Sequence, residues 1–286
     1  MDLTNSMNLS SMSKKIKILM PIVGAAVIAL GTLGKAQALS FLSTSTGQIG
    51  TIDTSTGIFT PFISNSQTFT DIALSNDDNL FGITFTELYS IDQSTGSSSL
   101  IGNLGMAGAN ALGFAFSDDN QLFGAGNSAF YTINTSTGAT SLVANIPGFF
   151  SSGDIVFDPV NDRFLATSVD FETIPFTTTL FSISRNGTAT QIGNIGFSNV
   201  FGLFFENGTL FGYTDDRQQL TIDLTTGAGT FDKNVTGGTG QIFGAASLPS
   251  TGPARPVPET GSVLGLLTVG AFGAVSALKR KQRQKV

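Results

Sequence analysis

The sequence contains no cysteine, no histidine and no tryptophan, and only 12% of its residues are charged. Without cysteine there is no disulfide to staple the chain, even in an oxidising compartment. The joint lack of cysteine and histidine removes the usual ligands of zinc, copper, haem and iron–sulfur centres, and with them Ser-His-Asp and Cys-His catalysis. No metal and no cofactor are expected. Basic residues are scarce in the body: residues 39 to 260 hold 19 Asp and Glu against five Lys and Arg, a net −14 within a whole-chain −6. Such a surface is repelled by phosphate backbones, so nucleic acid is not an expected partner.

What the chain does have is a repeat. Leu88-Tyr89-Ser90-Ile91-Asp92-Gln93-Ser94-Thr95-Gly96 returns almost unchanged as Phe130 to Gly138, and more loosely as Ile49 to Gly57, Leu180 to Gly187 and Leu220 to Gly227. Each copy alternates apolar and polar residues, the pattern of a half-buried strand, and ends in a polar turn with Gly where a positive φ is wanted. Isoleucines 52, 91, 133, 183 and 222 are 39, 42, 50 and 39 residues apart, a period of repeated sheets.

Each copy sits third in a set of four strand-like runs, and four short antiparallel strands per 40-odd residues describe a β-propeller blade. Four complete sets lie between Asp71 and Asp232. Left over are one first-type strand, Phe243 to Ser247, and three others near the start: Leu39 to Ser43, Ile49 to Asp53 and Phe59 to Ile63. Joined, they make a fifth blade, and pairing the two ends closes the ring in place of a disulfide. The expectation is an all-β, five-bladed propeller over residues 39–249; a six-bladed ring with one degenerate blade and an open β-solenoid are the alternatives.

Both ends carry signals of a different kind. Lys14, Lys15 and Lys17 precede the apolar run Ile18 to Leu33 and then Ala36-Gln37-Ala38. This is the order of a secretory signal peptide over residues 1–38, with cleavage by signal peptidase expected after Ala38; an uncleaved anchor is the alternative. At the other end, residues 250–260 form a Pro-rich linker ending in Val257-Pro258-Glu259-Thr260, and residues 261–286 hold an uncharged run, Gly261 to Leu278, and a basic tip, Lys279 to Lys285. Eighteen helical residues span about 27 Å, enough for one transmembrane helix, and the tip would stay cytoplasmic.

This C-terminal arrangement resembles the PEP-CTERM sorting signal in its Val257-Pro258-Glu259 box, its Ser262-Val263-Leu264-Gly265-Leu266-Leu267 helix opening and its Lys/Arg-rich tip. The second proline of the box is Thr260 here, so Val257 to Gly261 also looks like a sortase signal, with Val where that family has Leu. The PEP-CTERM resemblance implies an exosortase-like processing enzyme as partner. It also implies passage through a membrane-anchored stage to the cell surface or extracellular matrix, with exopolysaccharide as a neighbour. The body resembles bacterial propeller domains with repeated Leu-Tyr-x-Ile-Asp-x-x-Thr-Gly units, a likeness that implies fold rather than activity.

Within the body, Asn76 to Asn79 and Ser117 to Asn120 are oxygen-rich linkers that read as hairpin turns or, alternatively, calcium loops. The third of the four sets is interrupted by Val169 to Phe176, a connector expected to share one face with the entering loop Pro147 to Ser152. Phe149, Phe150, Phe171, Ile174 and Phe176 would then meet beside Asp154, Asp170 and Glu172 as a candidate binding patch; the competing reading has these rings plugging the central channel or folding onto their own blade. Asp71 and Asp154, at the starts of inner strands, are the only pair suggested for acid–base work on a polysaccharide, and turn chemistry is the simpler role for both. No catalytic residue is assigned, and the expectation is a non-enzymatic structural or adhesive propeller.

Overall fold

The computed structural model describes residues 40–64, 67–106, 108–115, 120–172 and 174–248. The stretches expected to be signal peptide, linker and sorting box, and C-terminal helix, together with most of the Ser117 to Asn120 linker, lie outside the described residues. Among those described, no helix is long and apolar enough to cross a membrane.

Among the described residues, twenty strands form five four-stranded antiparallel sheets. The closing blade holds β1 (Ser40–Thr44), β2 (Gln48–Asp53) and β3 (Ile58–Ser64), plus the last strand, β20 (Ile242–Ser247). The second blade is β4 (Asp71–Leu74), β5 (Leu80–Ile83), β6 (Glu87–Ile91) and β7 (Ser98–Asn103). The third is β8 (Ala109–Phe114), β9 (Leu122–Gly126), β10 (Ala129–Ile133) and β11 (Thr140–Asn145). The fourth is β12 (Ser151–Asp158), β13 (Arg163–Asp170), β14 (Thr177–Ser184) and β15 (Ala189–Asn194). The fifth is β16 (Val200–Glu206), β17 (Thr209–Thr214), β18 (Gln218–Ile222) and β19 (Gly229–Asn234).

The expected closure is present: β1 pairs with β20 from Ser40↔Ser247 to Thr44↔Ile242. Five apolar clusters fill the spaces between neighbouring blades. The largest joins the third and fourth blades through Phe123, Phe130, Phe157 and Phe164, whose rings meet at 4.9 to 5.5 Å. Burying one such side chain contributes about 1.5–3 kcal/mol, which explains how a chain with few charges and no disulfides holds its sheets together. Inner strands are buried on both faces, whereas β7, β11 and β15 are half-exposed. The alternating pattern is therefore clearest in the third strand of each blade, where the repeat is read.

One boundary is corrected. β13 and β14 pair over eight residues, ending at Asp170↔Thr177, so Val169 and Asp170 belong to the ladder and the inserted connector is only 171–176. Thr177, Thr178 and Thr179 continue the strand because β-branched residues suit a pleated surface.

Candidate functional site

The axis and the long connector of the fourth blade hold the candidate residues. At the axis, Asp71 and Asp154 are fully buried. Asp71 Oδ1 accepts the Ile72 N–H (2.8 Å) and Oδ2 accepts the Leu112 N–H of the third blade (2.7 Å). Asp154 Oδ2 accepts the N–H groups of Leu203 in the fifth blade (2.6 Å) and Ala245 in the closing blade (3.3 Å). The Ile155 N–H and the Asp71 carboxyl complete the surroundings of Asp154, and its Oδ1 meets no N–H at full hydrogen-bonding geometry. Burial pushes both carboxyls well above the usual range; the charge of Asp154 pushes Asp71 further, while N–H donors partly offset the shift at both.

Next along the axis is a cavity of about 20 Å³ lined by the residues that follow in the inner strands, such as Ile72, Leu112, Ile155, Leu203 and Ala245, and by neither carboxyl. That is room for about one water molecule, not a sugar ring. Asp154 thus leaves the candidate patch: β12 begins at Ser151 rather than at Asp154, all eight of its residues are buried, and the Asp154 carboxyl is turned to Leu203 and Ala245 of other blades.

The connector divides the remaining patch residues. Phe149 is buried against Phe181, 5.4 Å between rings, and belongs to the core, whereas Phe150 turns outward because consecutive extended residues point to opposite sides. Phe150, Phe171 and Phe176 are 38%, 56% and 53% exposed and form an edge-to-face chain with steps of 5.1 and 5.5 Å; Ile174 beside them is 94% exposed. Phe150 is held by its N–H to Ser168 Oγ (2.8 Å) and by the Val169 N–H to its carbonyl (2.9 Å). Asp170 Oδ1 accepts the Glu172 N–H at 2.9 Å, which shapes the turn. The two arginines of this blade sit at the opposite strand ends, Arg163 on Asp158 and Arg185 on Asp162. Three open rings flanked by Asp170 and Glu172 can hold an apolar or neutral surface, or a cation against the ring faces.

The Asn76 to Asn79 segment is a hairpin turn: the Asp78 N–H reaches Ser75 O (3.0 Å), the Asn79 N–H reaches Ser75 Oγ (3.1 Å), and Asp78 adopts φ 61°. Sequence reasoning missed a buried polar cluster between the fifth and closing blades. Thr54 Oγ1 donates to Glu206 (2.5 Å), the Tyr213 hydroxyl donates to Gln219 Oε1 (2.9 Å), and Gln219 Nε2 donates to Thr54 O (2.8 Å) and Asp232 (2.7 Å). Burial, reinforced by Glu206 and Asp232, raises the Tyr213 hydroxyl well above its ordinary value and keeps it a donor. The mark was in the repeat, where Gln219 takes the slot filled elsewhere by Leu88, Phe130 or Leu180.

No protein-family model and no characterised protein sequence matches the chain. Among solved structures, it is similar to a chain of a nidogen/laminin complex, with 11% identity over 75% of this chain and 99% of that one, at a TM-score of 0.54. A protein of unknown function from Bacteroides thetaiotaomicron is 12% identical over 74% of this chain and 59% of that one, with a TM-score of 0.49. The aldose sugar dehydrogenase of Streptomyces coelicolor, in its PQQ-bound form, is 12% identical over 67% and 65%, with a TM-score of 0.45. Likeness at these identities is one of fold alone.

Proposed function

We propose that the protein is an exported, non-enzymatic propeller that serves as a structural or adhesive module at the cell surface or in the extracellular matrix. The observation that carries this reading is at the axis, where both carboxyls suggested for catalysis are fully buried and the space next to them has room for about one water. The exposed feature is instead the ring chain Phe150, Phe171 and Phe176.

The topology supports the same reading. Ser40 and Ser247 are partners at one end of the closing blade, equivalent to the β12–β13 hairpin end, while the aromatic connector joins the other ends of β13 and β14. A tether beyond Ser247 therefore leaves the aromatic end facing away from the attachment point. The PEP-CTERM-like box at Val257 to Thr260 and the signal-peptide pattern ending at Ala38 give the route: export, a membrane-anchored stage, processing by an exosortase-like enzyme and release to the surface.

A second reading, binding of a polysaccharide by the same rings, is favoured by their open faces. The test is full-length expression in the producing bacterium, with mass spectrometry and surface retention measured together. Released protein should begin near residue 39 and end near Pro258 to Gly261, and F150S/F171S/F176S should be released from cells or matrix at least severalfold more readily than wild type. Intact Val286 in the released pool, or equal retention of the triple variant, would contradict the proposal.

A further inference from the structure

Going round the ring, the position nearest the axis is occupied by Asp71, Ala111, Asp154, Gly202 and Gly244. The registers equate them: each lies three residues before Leu74, Phe114, Phe157, Phe205 or Ser247, which pair with Leu80, Leu122, Phe164, Leu210 and Ser40. One layer thus contains two acids and three of the smallest residues. Gly244 is required by an acid, since a Cβ there would stand 2.3 Å from Asp71 Oδ1.

The next residue in each blade, Ile72, Leu112, Ile155, Leu203 or Ala245, turns its N–H onto one of the two carboxyls. Inner strands are sheet edges, and an N–H buried there without a partner bears the full cost of its lost hydration. Two carboxyls answer them, four of the five at full hydrogen-bonding geometry.

Both carboxyls converge on the same two residues of the closing blade: Asp71 Oδ1 lies where a Cβ of Gly244 would be, and Asp154 Oδ2 accepts the N–H of the adjoining Ala245 at 3.3 Å, so the two groups are electrostatic neighbours. The residues that line the axial cavity next to them are apolar, apart from Ser247, and none titrates. From the second strands, Thr167 Oγ1 bonds the Asp154 backbone, and the nearby Tyr213 hydroxyl is directed to Gln219. No Lys or Arg is among these neighbours. Two neighbouring carboxyls in so dry a site cannot both ionise, and five converging N–H dipoles favour an anion over a metal cation.

We propose that Asp71 and Asp154 share one proton, and that this proton, with the five N–H groups around it, fastens the inner strands of all five blades to one another at the axis. Two N–H groups reaching Asp154 from other blades against one reaching Asp71 make Asp154 the anion and Asp71 the acid. The unfolded chain releases both protons above about pH 3.9, whereas the closed ring keeps one. This pair therefore stabilises the fold most at low pH. As pH rises above the ordinary carboxylate range, its contribution falls by about a factor of ten in the unfolding constant per pH unit, until the folded pair itself ionises.

Urea unfolding of the full-length chain from about pH 5 to about pH 8 tests this against Asp71→Asn, whose amide can donate to Asp154 without titrating. Wild type should lose stability relative to the variant with rising pH, by up to about tenfold per unit. Infrared spectra at neutral pH should show a protonated-carboxyl carbonyl band in wild type that Asp71→Asn lacks. Parallel pH curves, or no such band, would overturn the proposal. Should Asp71→Asn fail to fold, Asp154→Asn gives the same comparison, and the infrared band of wild type alone decides.

Discussion

At the scale of single residues, aspartate does two electrically opposite things in this ring. In the third-to-fourth-strand turns, Asp92 Oδ1 accepts the Ser94 hydroxyl (2.6 Å) and the N–H groups of Ser94 and Thr95 (2.8 and 3.0 Å). These bonds, the Ser94 hydroxyl foremost, hold its carboxyl below the usual range, as the corresponding turn bonds do for Asp53 and Asp223. A depressed carboxyl stabilises the fold above its unfolded value and loses that contribution as pH falls through the lower folded value; the axial pair has the opposite sign. The turn role was legible because its donors lie two and three residues downstream. The axial role was not, since Leu112 and Leu203 are 41 and 49 residues from the carboxyls they bind. Asn134 occupies the Asp92 slot in the third blade and accepts the same two N–H groups, at 2.9 and 3.0 Å. Thermal melts should therefore show Asp92→Asn matching wild type once acid has protonated Asp92, below its lowered range, and trailing it slightly at pH 7, with Asp92→Ala lower at both. A neutral-pH deficit for Asp92→Asn as large as that of Asp92→Ala would disprove the turn-acceptor role.

At the scale of elements, the repeated turn is also the contact between neighbouring blades. In every sheet the ladder between third and outer strand shifts register once, a bulge that redirects the end of the outer strand. The penultimate residue beyond it, Ile63, Gly102, Ala144, Gly193 or Lys233, then lies against the turn glycine of the next blade, in order Gly96, Gly138, Gly187, Gly227 and Gly57. The glycine of the turn was readable from its place after Asp or Asn. Its partner was not, because a bulge leaves no periodic trace and the contact crosses between sheets. Gly102→Val tests the contact: its Cβ would fall 2.1 Å from Thr137 O, a backbone atom that cannot move alone. The expected cost is about 1–3 kcal/mol in urea unfolding, against about 0.5 kcal/mol or less for Leu100→Ser on the exposed side of the same strand. Equal midpoints for the two variants would mean that the turns merely lie near the neighbouring blade.

For the whole molecule, ring closure was legible by counting strands, because three at the start and one at the end complete a blade. The polar character of the seam was not, since Thr54 meets Glu206 and Gln219 across 152 and 165 residues. Closure through β1 and β20 makes chain order secondary to strand order: Ser40 and Ser247 are already neighbours, and any exposed hairpin would serve as well for the ends. The β12–β13 hairpin is such a place, with Val160 78% exposed at its tip. A permutant of residues 40–248 with a short Gly/Asn turn joining the old ends and a cut between Val160 and Asn161 should unfold in one cooperative transition near the parent midpoint. Deleting Ile242 to Ser247 instead uncovers Leu42, Phe59, Phe204 and Tyr213, the apolar wall of the seam, and leaves β1 with a bare edge. That chain should aggregate or lose its cooperative transition, because an exposed edge beside uncovered rings recruits other chains. A deletion variant that melts like the parent would show that four blades stand without the shared sheet, and that closure is not what keeps this cysteine-free chain folded.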